Sequence, residues 1–510
     1  MRLLSQHLVR SYICPSCRAS IQKSTRRVFS TTPIARASPD IYDVVCVGGG
    51  PAGLALAAAL LSSPVTSNLR IALIESQDLN KSRIWNLPPG EFSNRCSSLT
   101  PTSVSFLQKI GAWKHVDASR VQPYQEMQVW DGQTGSKISF DWSVDTSPFE
   151  DIRSIATMTE NANLVRGLLL RIQELEDGNS NGNGSLSVFS NTMVSSIENG
   201  SKSTDGPNLS AWPIVSLAPS PSSSSSVSGP ITARLLVGAD GINSPVRSFA
   251  DITTSGWDYD RHGIVATLSL SEDSPSPLNI RTAYQRFLPS LGGPIALLPL
   301  PGNKATLVWS TKIENAAYLK SLPEEAFIAM INAAFRLSMT DLNYMLAIDP
   351  KETNQHQDEL TWRLNHTPQS TYLPPLVTSI QRGTTASFPL RFRHASSYIS
   401  PRVALIGDAA HVIHPLAGQG LNLGIGDVAS LSNTIEYAVN HGMDIGDHLA
   451  LEPYMTARYA ANTKIGGMCD LLHKVYNVPG NGPVAVARSL GLNLVDRVPW
   501  LKGFVMKQAD

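Results

Sequence analysis

The sequence predicts an α/β protein in which a nucleotide-binding domain built on a parallel sheet joins a second domain with a mostly antiparallel sheet. Three observations carry that expectation. Tyr42 to Val47 is an apolar strand, followed at once by Gly48-Gly49-Gly50-Pro51-Ala52-Gly53 and an Ala/Leu-rich helix through Leu61. Strand, glycine turn and helix in that order are the setting in which G-x-G-x-x-G binds a dinucleotide. Two further apolar runs, Leu235 to Val237 and Val403 to Ile406, lead into the acidic turns Asp240-Gly241 and Gly407-Asp408. Residues 257–390, lying between those turns, break into short strand-like stretches separated by Pro and Gly. At 510 residues the chain exceeds one ordinary core, so two domains are expected.

Composition excludes several classes. Lys plus Arg and Asp plus Glu both number 41, so zero net charge offers no electrostatic case for nucleic acid as a partner. No apolar run approaches the roughly 18 residues of a membrane-spanning helix, so any membrane contact is peripheral. Five scattered cysteines argue for reduced thiols rather than a disulfide framework.

The elements follow in order. Residues 1–39 carry Arg2, Arg10, Arg18, Lys23, Arg26, Arg27 and Arg36, many hydroxyl residues and no acid, the composition of a mitochondrial transit peptide. Cleavage is expected near Phe29; the alternative is a disordered basic tail. Cys14 and Cys17 have metal-ligand spacing without a second pair, so no metal is assigned to them. In the first motif the glycines allow a tight turn and bring backbone N–H groups to a pyrophosphate at the helix N-terminus. The strand Leu69 to Ile74 ends in Glu75, placed for the ribose hydroxyls of an adenosine. A helix is expected from Pro101 to Ile110, and strands over 124–142 with Trp130 and Trp142. A further helix follows from Glu160 to Leu175, with Thr159 as its cap. The tracts Asp177–Ser185 and Gly200–Pro230, rich in Gly, Asn, Ser and Pro, read as mobile surface loops.

Arg402 to Asp427 reads RVALIGDAAHVIHPLAGQGLNLGIGD: strand, acidic turn, Gly-rich loop, then helical spacing from Leu421. His414 to Gly424 resembles, without a break, the signature of the flavin monooxygenases of ubiquinone biosynthesis: His-Pro-aliphatic-Ala-Gly-Gln-Gly-aliphatic-Asn-aliphatic-Gly. The resemblance runs from about Ile41 to the C-terminus, apart from the two low-complexity tracts. It implies a Rossmann-like, para-hydroxybenzoate hydroxylase-like domain that binds FAD rather than NAD.

On that reading Gly48, Gly50, Gly53 and Glu75 hold the adenosine and pyrophosphate, Arg95 reaches the cofactor, and Asp240 and Gly241 lie near the pyrophosphate. Gly407 and Asp408 hold the ribityl chain. Backbone N–H groups of Gly420, Leu421 and Asn422 stabilise negative charge on the flavin's pyrimidine edge. Pro415, Gly418, Gln419 and Gly420 form the flavin-face loop, and no side chain is singled out as catalytic. His411 and His414 lack neighbouring ligands for a metal. Gly424-Ile425-Gly426 falls inside a helix and is not a nicotinamide site. Tyr284–Phe287 and Gly293–Leu300 resemble strands that roof the flavin.

The expected FAD domain comprises 40–120, 155–256 and 391–480, and the substrate domain 121–154 and 257–390. The basic and apolar 481–510 contacts a membrane, a partner or the protein's own core. The implied reaction is C5-hydroxylation of a 3-polyprenyl-4-hydroxybenzoate by O2 through a flavin hydroperoxide. Electrons come from ferredoxin and its reductase, other quinone-biosynthesis proteins are partners, and the site of action is the matrix side of the inner mitochondrial membrane, peripherally. Two alternatives stand beside it: an FAD hydroxylase of another aromatic or isoprenoid, and a non-catalytic flavoprotein scaffold of the quinone-synthesis complex.

Overall fold

The computed structural model describes residues 40–141, 154–178, 185–201, 208–221, 229–272, 282–352, 354–367, 373–415, 418–477 and 482. The expectations for residues 1–39, for Trp142 and for the C-terminal stretch from Val484 lie outside them. The chain opens with β1 (Asp40–Val47) and α1 (Pro51–Ser62), then β2 (Arg70–Ile74), β3 (Cys96–Leu99), α2 (Pro101–Lys109), β4 (Val121–Tyr124), β5 (Glu126–Asp131), β6 (Lys137–Asp141), β7 (Ala156–Glu160) and α3 (Asn161–Gly178). Next come β8 (Ser185–Phe189), β9 (Thr192–Asn199), β10 (Pro213–Pro219), β11 (Ile231–Gly238), β12 (Thr254–Leu270), β13 (Thr282–Leu288), β14 (Gly293–Leu300) and β15 (Lys304–Lys312). Helices α4 (Ile313–Ser321), α5 (Glu324–Arg336), α6 (Met339–Met345) and α7 (Gln355–His366) precede β16 (Val377–Ile380), β17 (Ala386–Ala395), β18 (Ile399–Ser400), β19 (Val403–Leu405) and β20 (His411–Val412). Two long helices close the described chain, α8 (Gly420–Asn440) and α9 (His448–Tyr476).

The first sheet runs β18-β19-β11-β1-β2-β8. Its central strands are parallel, and β11 ends in the buried apolar run Leu235–Val237, covered on both faces. Helix α1 owes its form to Ala and Leu, and to Pro51 in the first turn, where a missing N–H costs little. It packs against both α3 and α8. The second sheet runs β20-β17-β12-β15-β14-β13-β5-β6, with β16 beside β12, and every pairing in it is antiparallel except β13 with β5. Its core, which includes Trp309 and Phe335, is separate from that of the parallel sheet. A small antiparallel sheet, β3-β7-β4, takes strands from the first third of the chain.

Two expectations are corrected. The tract Gly200–Pro230 is not loop throughout: its Ile214-Val215-Ser216-Leu217 core forms β10, pairs with β9 and β11, and buries Val215 completely. Serine and proline on either side hid a short strand pattern. Thr159 does not cap α3 but lies within β7, where its hydroxyl accepts a hydrogen bond from Asn163 Nδ2 (3.2 Å).

Candidate cofactor site and active face

Four strand ends of the parallel sheet lie level. Val47 pairs with Gly238 and with Ile74, and Gly238 with Leu405, so the turns that follow β1, β11, β19 and β2 share one edge. Those turns hold Gly48–Gly53, Asp240-Gly241, Gly407-Asp408 and Glu75. The carboxyl edge of an open parallel sheet is where such folds take their ligands.

Within the first turn the glycines do different work. Gly48 has φ +109°, and a Cβ there would lie 2.2 Å from the Ala239 carbonyl oxygen; only glycine fits. At Gly50, Gly241 and Gly420 a Cβ would meet nothing within 4 Å, so these three face open space. The N-terminus of α1 has no side-chain cap and no acid in its first turn, which leaves the positive end of the helix dipole to an external anion. Glu75 Oε2 accepts from the Gly49 N–H (2.6 Å) and Oε1 from the Gln77 N–H (2.7 Å). Just beyond it a cleft of about 530 Å³ opens beside Ser76, Gln77, Asp78 and Asn191.

Asp240 accepts from the Val246 N–H through Oδ2 (3.2 Å), while among the described residues its buried Oδ1 has no partner, and burial raises its pKa. Asp408 is open to solvent, yet enough protein surrounds its carboxyl to raise its pKa too. That combination describes the floor of a cleft. Below it Gly407 (φ +59°) lies close to Ala52 of α1 and Gly424 of α8, small residues that let both helices start at the same place.

The loop after β19 crosses between sheets. β20 pairs with β17 of the antiparallel sheet, His411 opposite His394. The Pro415 carbonyl accepts from the Gly418 N–H (3.2 Å), and α8 begins at Gly420 with neither a side-chain cap nor an acid in its first turn. Its leading N–H groups have no helical acceptor, as at any helix start. Gln419 is buried at that start. The Asn422 side chain is engaged within the protein: Nδ2 donates to the Ser98 carbonyl (2.8 Å) and Oδ1 accepts from the Thr100 N–H (3.0 Å). What Gly420, Leu421 and Asn422 offer a ligand is main chain.

The structure also shows residues that the sequence reading passed over. Asp427, fully buried on α8, accepts from the Gly407 N–H (3.1 Å), His411 Nε2 (2.6 Å), Arg458 Nε (2.9 Å) and Asn462 Nδ2 (2.9 Å). Burial works to raise its pKa, but His411, Arg458 and Asn462 outweigh burial and hold it below the usual value. This one carboxylate ties the Gly407 turn to α8 and α9. Arg120 and Glu160 form a second buried pair, Nε to Oε2 at 2.6 Å, and Arg120 also donates to the Glu91 carbonyl (2.7 Å). Helical or motif spacing gives no sign of either set, because the partners lie far apart in sequence. Arg95 is exposed; its N–H donates to Ser93 Oγ (3.2 Å), and among the described residues its side chain bonds to none of the other candidates. His411 is taken up by Asp427, and His414 by Tyr259 and His473, ring centroids 5.0 and 4.5 Å away. Among the described residues no group of three or more His, Cys, Asp or Glu could hold a metal.

Comparison with known proteins gives the family and the cofactor. An FAD binding domain family matches residues 219–445, which span the Asp240 and Asp408 turns and the loop. The Schizosaccharomyces pombe protein "Ubiquinone biosynthesis monooxygenase COQ6, mitochondrial" is 41% identical over 91% of this chain and 91% of that one. Its Saccharomyces cerevisiae counterpart is 39% identical over 92% and 94%. The chain belongs to the COQ6 family of ubiquinone biosynthesis monooxygenases. FAD is the cofactor of this COQ6-family chain and monooxygenation its class of reaction, as the signature from His414 to Gly424 implied. The fold of the COQ6-family chain is shared with p-nitrophenol 4-monooxygenase PnpA from Pseudomonas putida, at a TM-score of 0.60 and 15% identity, covering 92% of this chain and 98% of that one.

The residues present fit FAD. Two uncapped helix starts, an orphaned Asp240 oxygen and three glycines facing open space make room and polarity for a long, partly anionic ligand.

Proposed function

We propose that this chain hydroxylates C5 of a 3-polyprenyl-4-hydroxybenzoate, with electrons delivered by ferredoxin and its reductase. The place of action is the matrix face of the inner mitochondrial membrane, where other quinone-biosynthesis proteins are its neighbours. The observation that carries the reading is the meeting of the four level strand ends with a loop that crosses into the antiparallel sheet. A cofactor laid along that edge reaches the seam between the two sheets, where a ring substrate can be enclosed. The relatives' printed names supply the pathway and the mitochondrion. Among the described residues no helix is long and apolar enough to cross a membrane, which is compatible with peripheral attachment.

When bound, FAD supplies the oxygen-activating chemistry. The chain does the rest. Gly48, Gly50 and Gly53 bring the start of α1 to the pyrophosphate, Glu75 takes the ribose, and Asp240 with Gly241 flanks the phosphates. Asp408 on the cleft floor takes the ribityl hydroxyls. The leading N–H groups of α8 at Gly420, Leu421 and Asn422 face negative charge on the flavin ring. Pro415, Gly418 and Gln419 shape the ring's face and help to exclude water, which would otherwise divert activated oxygen to peroxide. Arg95, on the exposed segment that Arg120 and Glu160 brace, is assigned to the outer side of the cofactor. Residues 40–120, 155–256 and 391–480 then form the FAD domain and 121–154 and 257–390 the substrate domain, each with its own core.

The test uses the mature protein with FAD reduced chemically, mixed with O2 and a short-chain 3-prenyl-4-hydroxybenzoate. Mass spectrometry should find one oxygen atom added at C5. Flavin reoxidation that yields only peroxide would remove this substrate from consideration.

A further inference from the structure

Beside the flavin-face loop, on the side of the small sheet, lies a pair of hydroxyls with one hydrogen too many. Ser98 of β3 and Tyr124 of β4 are both buried, and their oxygens are 2.9 Å apart. Two hydroxyls bring two O–H donors, and their mutual bond uses one. Neither hydroxyl makes another hydrogen bond among the described residues, so among them one buried O–H lacks an acceptor. The Tyr124 ring belongs to an apolar cluster with Phe92, Ala156 and Met158, joined by Ala283 and Leu300 from the antiparallel sheet. A buried donor left unmatched in such surroundings is costly, and native structures rarely keep one without a use.

The position of the pair gives that use. A Cβ at Gly418 would lie 3.4 Å from Ser98 Cβ, so the loop rests directly on Ser98. Asn422, from the first turn of α8, grips the Ser98 carbonyl and the Thr100 N–H. The hydroxyl pair therefore sits where the small sheet, the antiparallel sheet and the loop meet, held in register with the loop by the Asn422 side chain. Burial raises the Tyr124 pKa, partly offset by its bond to Ser98, so the phenol keeps its hydrogen.

We propose that Ser98 and Tyr124 together bind the phenolic oxygen of the substrate, the spare O–H donating to it. This rests on the phenol-hydroxylase reading given above and adds to it the residues that recognise the phenol. Donation to that oxygen favours the ionised over the neutral phenol, and an ionised phenol is the more electron-rich ring. It also separates a phenol from its methyl ether, which is bulkier at the same oxygen and cannot ionise.

The experiment titrates the FAD-loaded, oxidised protein with 3-prenyl-4-hydroxybenzoate and with the corresponding 4-methoxy compound, following the flavin absorbance. Wild type should prefer the phenol. Removing both hydroxyls with Ser98→Ala/Tyr124→Phe should weaken phenol binding by roughly tenfold, the worth of one hydrogen bond to a charged group, while leaving the ether unchanged. The phenol preference should also lose its dependence on pH. FAD content and melting temperature serve as controls, and if the double variant folds poorly, the wild type must still prefer the phenol increasingly as pH rises through the phenol's ionisation. Equal weakening of both ligands, or no weakening of either, overturns the assignment while the substrate reading stands. A wild type that binds neither ligand removes the substrate reading and this inference together.

Discussion

At the residue scale, the glycines of the site divide by what a side chain would touch. Gly420→Val adds atoms where the protein has none, at the first turn of a helix that tolerates valine at a cost below about 1 kcal/mol. We expect the apoprotein to melt within a few degrees of wild type while FAD affinity falls roughly tenfold or more, since an overpacked contact costs about 1–3 kcal/mol. A Gly420→Val protein that binds FAD and hydroxylates normally would rule out the loop's part in the site. Gly48→Ala should behave the other way and fail to accumulate as folded protein, because its Cβ collides with main chain. Asp427 is expected to matter as much as any residue that touches the cofactor. Asp427→Asn leaves Arg458 and His411 facing a buried neutral amide, so the unfolding free energy should drop by about 3 kcal/mol in a denaturant titration. FAD affinity should fall with it, because the Gly407 N–H loses its charged acceptor.

At the element scale, α9 joins the two sheets. Near its start the Tyr454 hydroxyl donates to the Leu405 carbonyl at the end of β19, and at its far end Tyr476 stacks on Phe287 of β13, centroids 3.7 Å apart. Between them His473 packs against His414 and Tyr259, within the fields of Arg261, Asp470 and Lys474. Burial, with its neighbour's charge, pushes His414 down to about 3, and burial and Arg261 push His473 down to about 4. Both folded values lie below the unfolded one near 6.5, so the unfolded chain takes up more protons as pH falls below that point. Stability is therefore full above about pH 6.5 and declines toward pH 4. The decline should be roughly 2 kcal/mol per histidine between pH 7 and pH 5. Carboxylates such as Asp427 lose their contribution only at lower pH, so the histidines govern this window. His356 and His394, also lowered by burial, add to the same window. Chemical denaturation at pH 7 and pH 5 checks it, with His473→Gln making the slope shallower, and a flat profile would count against the buried pair.

This strap was illegible in the sequence, where α9 carries no motif and its partners come from three distant strands and the loop after β20. The helix starts and strand ends of the cofactor site were legible because glycine, proline and the turn acids act locally. β10 was hidden by the serines and prolines on either side, and Asn422 was read for its family position rather than for Ser98 and Thr100, its partners in space.

At the scale of the whole molecule, the described residues from Asp40 onward belong to one compact unit containing both sheets. FAD should then stabilise more than the sheet it touches. At a free concentration 100-fold above its Kd it should add about 2.7 kcal/mol to the unfolding free energy. Amide exchange should slow in β17 and β20 as well as in β1, β11 and β19. Slowing confined to the parallel sheet would mean that the loop does not couple the two. The route from Leu405 to His411 makes this concrete, since a handful of residues leaves one sheet in fixed register and enters the other in fixed register. That run behaves as a ruler. A single residue inserted there would turn every following side chain to the opposite face, taking His411 away from Asp427 and shifting Pro415 along the seam. The chain is held to a set length where the two sheets share it.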